Sequence, residues 1–188
     1  MEANLKQLIK ECILGNQLAQ RRLYDRFSPT MYGVCLRYSK DADGAQDILQ
    51  DGFIKVFGKL KQYKAQGSFE GWMRRIFINT ALEKFRSRVP ILTIDERLEV
   101  PLEIISDSII SELAAAELLK MVQELSPQYR LVFNLYAVEG YSHSEVAKTL
   151  GISEGTSKSN LSRARNILQG RIVKLRAIEG RRRSGNER

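Results

Sequence analysis

The stretch 142–168 constrains the fold more than any other, because it has the sequence pattern of two helices joined by a tight turn. In the first predicted helix, 142–150, the apolar residues Val146, Ala147 and Leu150 recur on one face, and Gly151 follows as a helix stop. A second helix is predicted from Ser153, because serine is favoured at helix N-termini. This layout is that of a helix-turn-helix.

The second of these helices carries almost nothing apolar in its first two turns, which is unusual for a helix that only fills a core. Positions 157, 161, 164 and 168 share one face, and Leu161, Ala164 and Leu168 make that face apolar. Small or hydrogen-bonding residues suit a helix that enters a DNA major groove about 12 Å wide. The opposite face carries such residues: Gly155, Lys158, Ser159, Ser162, Arg163 and Asn166. We interpret it as a DNA-recognition helix, although solvated faces and helix pairs that bind no DNA share parts of this pattern.

The rest of the chain has scarce strand signals, because its Val, Ile and Tyr residues occur singly at helical spacing. The predicted fold class is all-α, with two small helical domains joined by a flexible acidic linker and the helix-turn-helix in the C-terminal domain. Two short helices parted near Gly15 and Asn16 come first, and Ser28-Pro29 predicts the start of a third. The later predicted helices of the first domain are 30–39, 45–60 and 68–88, the last with Ser68 as N-cap.

Charge divides the chain in the same way. The formal net charge is +8, and it is concentrated in two blocks. The first, 54–88, holds nine Lys or Arg against two acids, and the second, 158–188, holds ten against two. The intervening stretch 93–117 holds seven acids and one basic residue, Arg97. We predict a first domain over 1–88, a linker over 89–111, a second domain over 112–175 and a basic tail over 176–188, with disorder expected from 181 to 188.

The first basic block interleaves aromatic residues with cations, a composition that suits single-stranded or distorted DNA. Cations follow the phosphate backbone, and rings or polar pockets receive unstacked bases. Trp72, Ile76 and Thr80 also fall on an ordinary core stripe, which favours Trp72 as a core residue over a stacking platform. Asn79 has the donors and acceptors needed to recognise a flipped base.

Several function classes find no support in the sequence. Cys12 and Cys35 are the only cysteines and His143 the only histidine, too few for a disulfide scaffold or a metal site, so no metal or cofactor is expected. The two cysteines are predicted to be small core residues and His143 to be a surface residue. No nucleophile is placed beside a base, which argues against an enzyme. No apolar run approaches the roughly 20 residues of a membrane span, so a cytoplasmic protein is expected.

Taken together, three motifs in this order resemble the sigma factors of bacterial RNA polymerase, specifically the extracytoplasmic-function group of the sigma-70 family. The resemblance runs from about position 18 to about position 175. "AQDILQDGFIKVFGKL" resembles the helix that binds the polymerase clamp, and "GSFEGWMRRIFINTALEKFRSR" resembles the promoter-melting helix. "LSPQYRLVFNLYAVEGYSHSEVAKTLGISEGTSKSNLSRAR" resembles the C-terminal DNA-binding domain. The resemblance implies a transcription initiation factor with core RNA polymerase, promoter DNA and an anti-sigma factor as partners, and no small-molecule substrate.

The same resemblance implies roles for three sets of residues. Those on the polymerase-binding helix are Asp47, Gln50, Asp51 and Phe53. Asn79 matches the position that engages a base extruded from the minus-ten element, and the accompanying residues are Tyr63, Lys64, Gly67 and Arg75. Those facing the minus-thirty-five element are Gly155, Thr156, Lys158, Ser159, Ser162 and Arg163. Ser157 departs from the family pattern, which has a β-branched apolar residue there, so looser packing of this helix is expected.

Two alternatives fit parts of the sequence. A stand-alone helix-turn-helix regulator would bind promoter duplex without polymerase and would ordinarily dimerise on a palindrome. A protein-interaction module would carry both basic blocks as solvated faces, and its partner binding would depend little on salt.

Overall fold

The computed structural model describes residues 2–88 and 115–185, which form two compact units. The described part of the chain is helical and contains no strand, which confirms the all-α prediction. The predicted linker, 89–111, lies outside the described residues.

The first unit is built from four helices and one short 3-10 turn. They are α1 (Glu2–Ile13), α2 (Gln17–Tyr38), α3 (Ala42–Lys59), the 3-10 turn Leu60–Gln62 and α4 (Phe69–Arg88). Helices α2, α3 and α4 pack against one another, and α1 packs on α2. The fully buried side chains of this core include Leu23, Met31, Leu60, Met73 and Phe77.

Helix α2 is continuous through Pro29, so the prediction of a new helix at Ser28-Pro29 is wrong. A proline inside a helix removes one hydrogen bond and destabilises it by about 3 kcal/mol. The buried residues Leu23, Phe27, Met31 and Val34 nevertheless follow one another at helical spacing across the proline. We attribute the continuity to this packed face, because Pro29 itself lies on the exposed side.

Helix α3 begins three residues earlier than the sequence pattern predicts. Asp41 is its N-cap, and the carboxylate accepts a hydrogen bond from the N–H of Gly44 at 2.9 Å. The residues assigned to an inter-helix loop therefore supply the cap and first turn of α3.

The second unit contains the remaining helices. They are α5 (Ala115–Gln123), α6 (Pro127–Phe133), the π-helical turn Asn134–Val138, α7 (His143–Leu150) and α8 (Glu154–Gly185). Helix α8 packs against α6 and α7. Two arginines satisfy carbonyls at the end of α5: Arg130 donates to Gln123 O at 2.7 Å and Arg171 to Met121 O at 2.8 Å. The predicted disordered tail is wrong as far as Gly185, because α8 continues to that residue.

Candidate DNA-binding and protein-binding surfaces

The helix-turn-helix forms as predicted, and local hydrogen bonds define its boundaries. Ser142 caps α7 through a capping box, in which its N–H donates to Glu145 Oε2 at 2.8 Å and its hydroxyl accepts from the N–H of Glu145 at 3.2 Å. Hydrogen bonds from Ser142 lower the pKa of Glu145. Gly151 ends α7 with φ of +70°, a conformation that favours glycine, and Ser153 caps α8 by accepting from the N–H of Thr156 at 3.0 Å.

Helix α8 separates into a buried and an exposed face along its N-terminal half. The predicted apolar residues Leu161, Ala164 and Leu168 are buried in the second unit. Gly155, Lys158 and Ser159 are exposed. The other predicted recognition residues, Thr156, Ser162 and Arg163, are half-buried on the borders of that face.

Of the two asparagines of α8, Asn166 contributes less to the exposed face than the sequence predicts. Asn166 was predicted on the groove-facing side, yet it is half-buried and its Nδ2 is enclosed without a hydrogen-bond partner among the described residues. Asn160 is buried on the packed face. The fully exposed members of the predicted recognition set, Gly155, Lys158 and Ser159, therefore all lie in the first two turns of α8.

Ser157 is fully buried and has a specific partner, which the sequence did not reveal. Its Oγ lies 2.9 Å from Nδ1 of His143, in the first turn of α7. The His143 ring stacks on Tyr136 with centroids 4.3 Å apart. His143 is thus a half-buried inter-helix contact, and its prediction as a plain surface residue is wrong. Burial lowers the pKa of His143, Lys158 and Arg165 act in the same direction, and Glu154 opposes them.

In the first unit, a short loop leads into α4, and an aromatic cluster of Tyr63, Phe69 and Trp72 forms where the loop meets the helix. The hydroxyl of Tyr63 donates to Gly67 O at 2.9 Å and closes the loop, in which Gly67 has φ of +95° and Ala65 φ of +56°. Ser68 caps α4 as predicted, accepting from the N–H of Gly71 at 3.0 Å. Tyr63 packs edge-on against Phe69 at 5.0 Å.

Trp72 is half-buried in this aromatic cluster, so it is neither a fully buried core residue nor a fully exposed stacking platform. Its ring lies 5.5 Å from Phe69 and 5.4 Å from Tyr63. Arg75 and Asn79 follow at steps of three and four residues, so they lie along the same side of α4, and both are exposed. Lys64 is exposed in the loop. The predicted minus-ten residues therefore border one surface that runs from the loop along α4.

The predicted polymerase-binding residues lie on α3 in two different environments. Asp47 and Gln50 are exposed and Asp51 is half-buried. Phe53 is buried, with its ring 4.6 Å from Tyr24 and 5.3 Å from Phe77, so it supports this surface from beneath. Lys84 of α4 reaches both acids, at 2.8 Å from Asp51 and 3.7 Å from Asp47.

A groove of about 370 Å³ adjoins these acids on α2 and α3. It is lined by Tyr24, Gln46, Leu49, Gln50, Phe53, Ile54 and Phe57. Ile54 is 64% exposed, which is unusual for an isoleucine in the middle of a helix. Neither Tyr24 nor Ile54 is predicted from the sequence as part of this surface, although an apolar residue beside the buried stripe of α3 is a signal that could identify Ile54.

Other potential sites are absent from the described residues. Cys12 and Cys35 are buried as predicted, and burial raises the pKa of Cys35 to about 12. Within 2–88 and 115–185, no group of three or more His, Cys, Asp or Glu side chains is arranged to hold a metal ion. None of the helices described is long and apolar enough to cross a membrane.

Comparison with known proteins gives two family matches, one in each unit. The model for Sigma-70 region 2 matches residues 23–90, and the model for Sigma-70, region 4 matches residues 115–168. The ECF RNA polymerase sigma factor SigW of Bacillus subtilis is 27% identical over 93% of this chain and 100% of the relative. The RNA polymerase sigma-E factor of Streptomyces avermitilis is 31% identical over 83% of this chain and 90% of the relative. Among solved structures, the sigma factor RpoE of Bartonella quintana, in complex with the anti-sigma factor NepR, has a TM-score of 0.49 and 24% identity. That match covers 82% of this chain and 96% of the solved one.

Proposed function

The chain belongs to the extracytoplasmic-function group of the sigma-70 family of RNA polymerase sigma factors, and from this premise we propose how it directs polymerase to promoters. The second unit binds the minus-thirty-five element as duplex through the exposed face of α8. The first unit docks on core polymerase through α3 and captures the melted minus-ten strand through α4 and the loop before it. The family is one of transcription initiation factors and not of enzymes.

The observation that carries this proposal is the division of α8 into two faces. Its buried face packs into the second unit, while the exposed side presents the short residues Gly155 and Ser159 together with Lys158, and the exposed Glu154 lies at its N-terminal edge. Such a face suits major-groove contacts, in which short side chains allow close approach and cations meet phosphates or base edges.

The groove and acids on α3 support the docking role. Carboxylates of Asp47 and Asp51 beside an exposed apolar residue, Ile54, give a surface that suits a partner with both cations and apolar side chains. Further proposed properties follow from family membership: an anti-sigma factor as a regulatory partner, and a cytoplasmic location, where polymerase and chromosome are found.

Docking through α3 predicts that the double variant Asp47→Asn, Asp51→Asn binds core polymerase at least about tenfold more weakly, since charge pairs across interfaces couple by about 1.5 kcal/mol or more. Titration of labelled protein with core polymerase measures this. The control is Asp25→Asn, which removes one charge from an exposed ion pair with Arg21 on α2. Equal affinity of the double variant and wild type would refute docking through these acids.

For the recognition face, Arg163→Ala is expected to weaken binding to the preferred minus-thirty-five sequence by about 1 to 3 kcal/mol. If Arg163 contacts bases, the loss of affinity is largest on that sequence, and the holoenzyme distinguishes less well between base pairs at one position of the element. Competition binding of the holoenzyme to promoter duplexes that differ at single positions measures both effects, with the exposed Lys120→Ala on α5 as the control. A loss of the same size on every duplex would assign Arg163 to phosphate contact instead.

A further inference from the structure

His143 is held in a fixed position that leaves one ring nitrogen unused. Its Nδ1 is engaged with Ser157 Oγ at 2.9 Å, and its ring is stacked on Tyr136. Nε2 has no hydrogen-bond partner among the described residues. Because Ser157 is fully buried and its hydroxyl needs a partner, this contact fixes the ring against α8.

The surroundings of this ring are cationic. Lys158 and Arg165 lie on the flank of α8 that faces His143, and both are exposed. The guanidinium of Arg165 lies 6.0 Å from the centroid of the Tyr136 ring on which His143 stacks. Neither cation forms an ion pair with a carboxylate in the described part of the chain. Glu154, in the first turn of α8, acts on the His143 ring in the opposite direction to these cations.

This flank borders the surface assigned above to DNA. Lys158 belongs both to the flank and to the exposed face of α8, and His143 lies in the first turn of α7. In a helix-turn-helix, the helix before the recognition helix crosses the DNA backbone. The geometry points to His143 as a further DNA-binding residue, which contacts a backbone phosphate of the upstream duplex through Nε2, with Lys158 and Arg165 beside it. This inference rests on the proposed function.

A phosphate contact of this kind makes DNA binding depend on pH. In the free protein, burial and the neighbouring cations hold the pKa of His143 below its usual range, so the ring is neutral at pH 7. A phosphate beside Nε2 favours the protonated ring and raises its pKa in the complex. The complex then binds more protons than the free protein, so DNA affinity increases as the pH falls through the pKa of the complex. The hydrogen bond to Ser157 persists, because protonated Nδ1 donates to the hydroxyl.

The test compares promoter binding by holoenzymes that contain wild-type protein or His143→Gln. Glutamine can still hydrogen-bond Ser157 but does not titrate, so the ratio of the two affinities cancels the pH dependence of polymerase itself. Between about pH 8 and about pH 6, we expect this ratio to rise about three- to tenfold in favour of wild type. If DNA affinity changes with pH in the same way for wild type and His143→Gln, the proposal is overturned. That result would leave the proposed function intact as long as the holoenzyme transcribes from promoters.

A second measurement does not depend on how well His143→Gln folds. Arg165→Gln should weaken holoenzyme binding equally on all duplexes and reduce the slope of log affinity against log salt by about 1. The matched control is Lys174→Gln, because Lys174 is an exposed cation on a different side of α8. If both variants change the salt slope equally, the flank has no special contact with phosphate and the proposal is refuted.

Discussion

Asn79→Ala is expected to leave polymerase binding intact and to reduce open-complex formation about ten- to a hundredfold. The amide of Asn79 is exposed on α4, on the same side as Trp72 and Arg75. If it pairs with an extruded base, its removal leaves the polar edge of that base without a partner, which costs about 1 to 3 kcal/mol. The measurement is permanganate footprinting of the melted minus-ten strand at saturating holoenzyme.

A folding defect cannot account for such a loss. Alanine has a higher helix propensity than asparagine, and Asn79 is exposed in the middle of α4, so the variant is expected to be at least as stable as wild type. The control is Asn4→Ala, which removes an exposed asparagine from α1. Normal promoter opening by Asn79→Ala would remove Asn79 from the proposed strand-capture surface.

Gly52→Ala is expected to destabilise the first unit by about 1 to 3 kcal/mol, because α3 and α4 approach too closely for a side chain there. A Cβ built on Gly52 would lie 2.2 Å from Cε1 and 2.4 Å from Cδ1 of Phe77. That ring is fully buried and packs edge-on against Phe53 at 5.3 Å, so it has little room to move. The free energy of unfolding of the full chain, from urea denaturation, measures the effect.

Gly58→Ala provides a matched control in the same helix. A Cβ at Gly58 meets no atom within 4 Å, so the substitution should stabilise α3 by roughly 0.5 to 1 kcal/mol through helix propensity. Gly52→Ala combined with Phe77→Leu should recover part of the lost stability if the clash is the cause. Equal unfolding free energies for Gly52→Ala and Gly58→Ala would contradict the close approach of the two helices.

Local sequence signals predicted the helix-turn-helix well because its boundaries are set by residues next to one another in the chain. Ser142, Gly151 and Ser153 each act within four residues of their own position. The buried stripe of Leu161, Ala164 and Leu168 was likewise visible as helical periodicity.

The start of α3 was missed at a local cap, Asp41, but two other errors arose where tertiary contacts decide the outcome. Ser28-Pro29 favours a helix start by local preference, which does not show the buried stripe that carries α2 through the proline. The residues next to His143 in the chain give no sign of its burial, because its partner Ser157 is 14 positions away. Other contacts join α3 and α4 between residues that are even further apart in the sequence. They are the ion pairs of Lys84 with Asp47 and Asp51 and the close approach of Gly52 to Phe77.

Promoter-specific initiation can be measured by in-vitro transcription with bacterial core polymerase and a library of promoter fragments. We expect promoter-specific transcripts only when this protein is added, with a shared sequence at both the minus-thirty-five and minus-ten elements. The double variant Asp47→Asn, Asp51→Asn should need at least about tenfold more protein to give the same transcripts, because it binds polymerase more weakly. If no transcripts appear while the protein alone binds discrete duplex sites, the account is contradicted and a stand-alone helix-turn-helix regulator explains the DNA-binding surface instead.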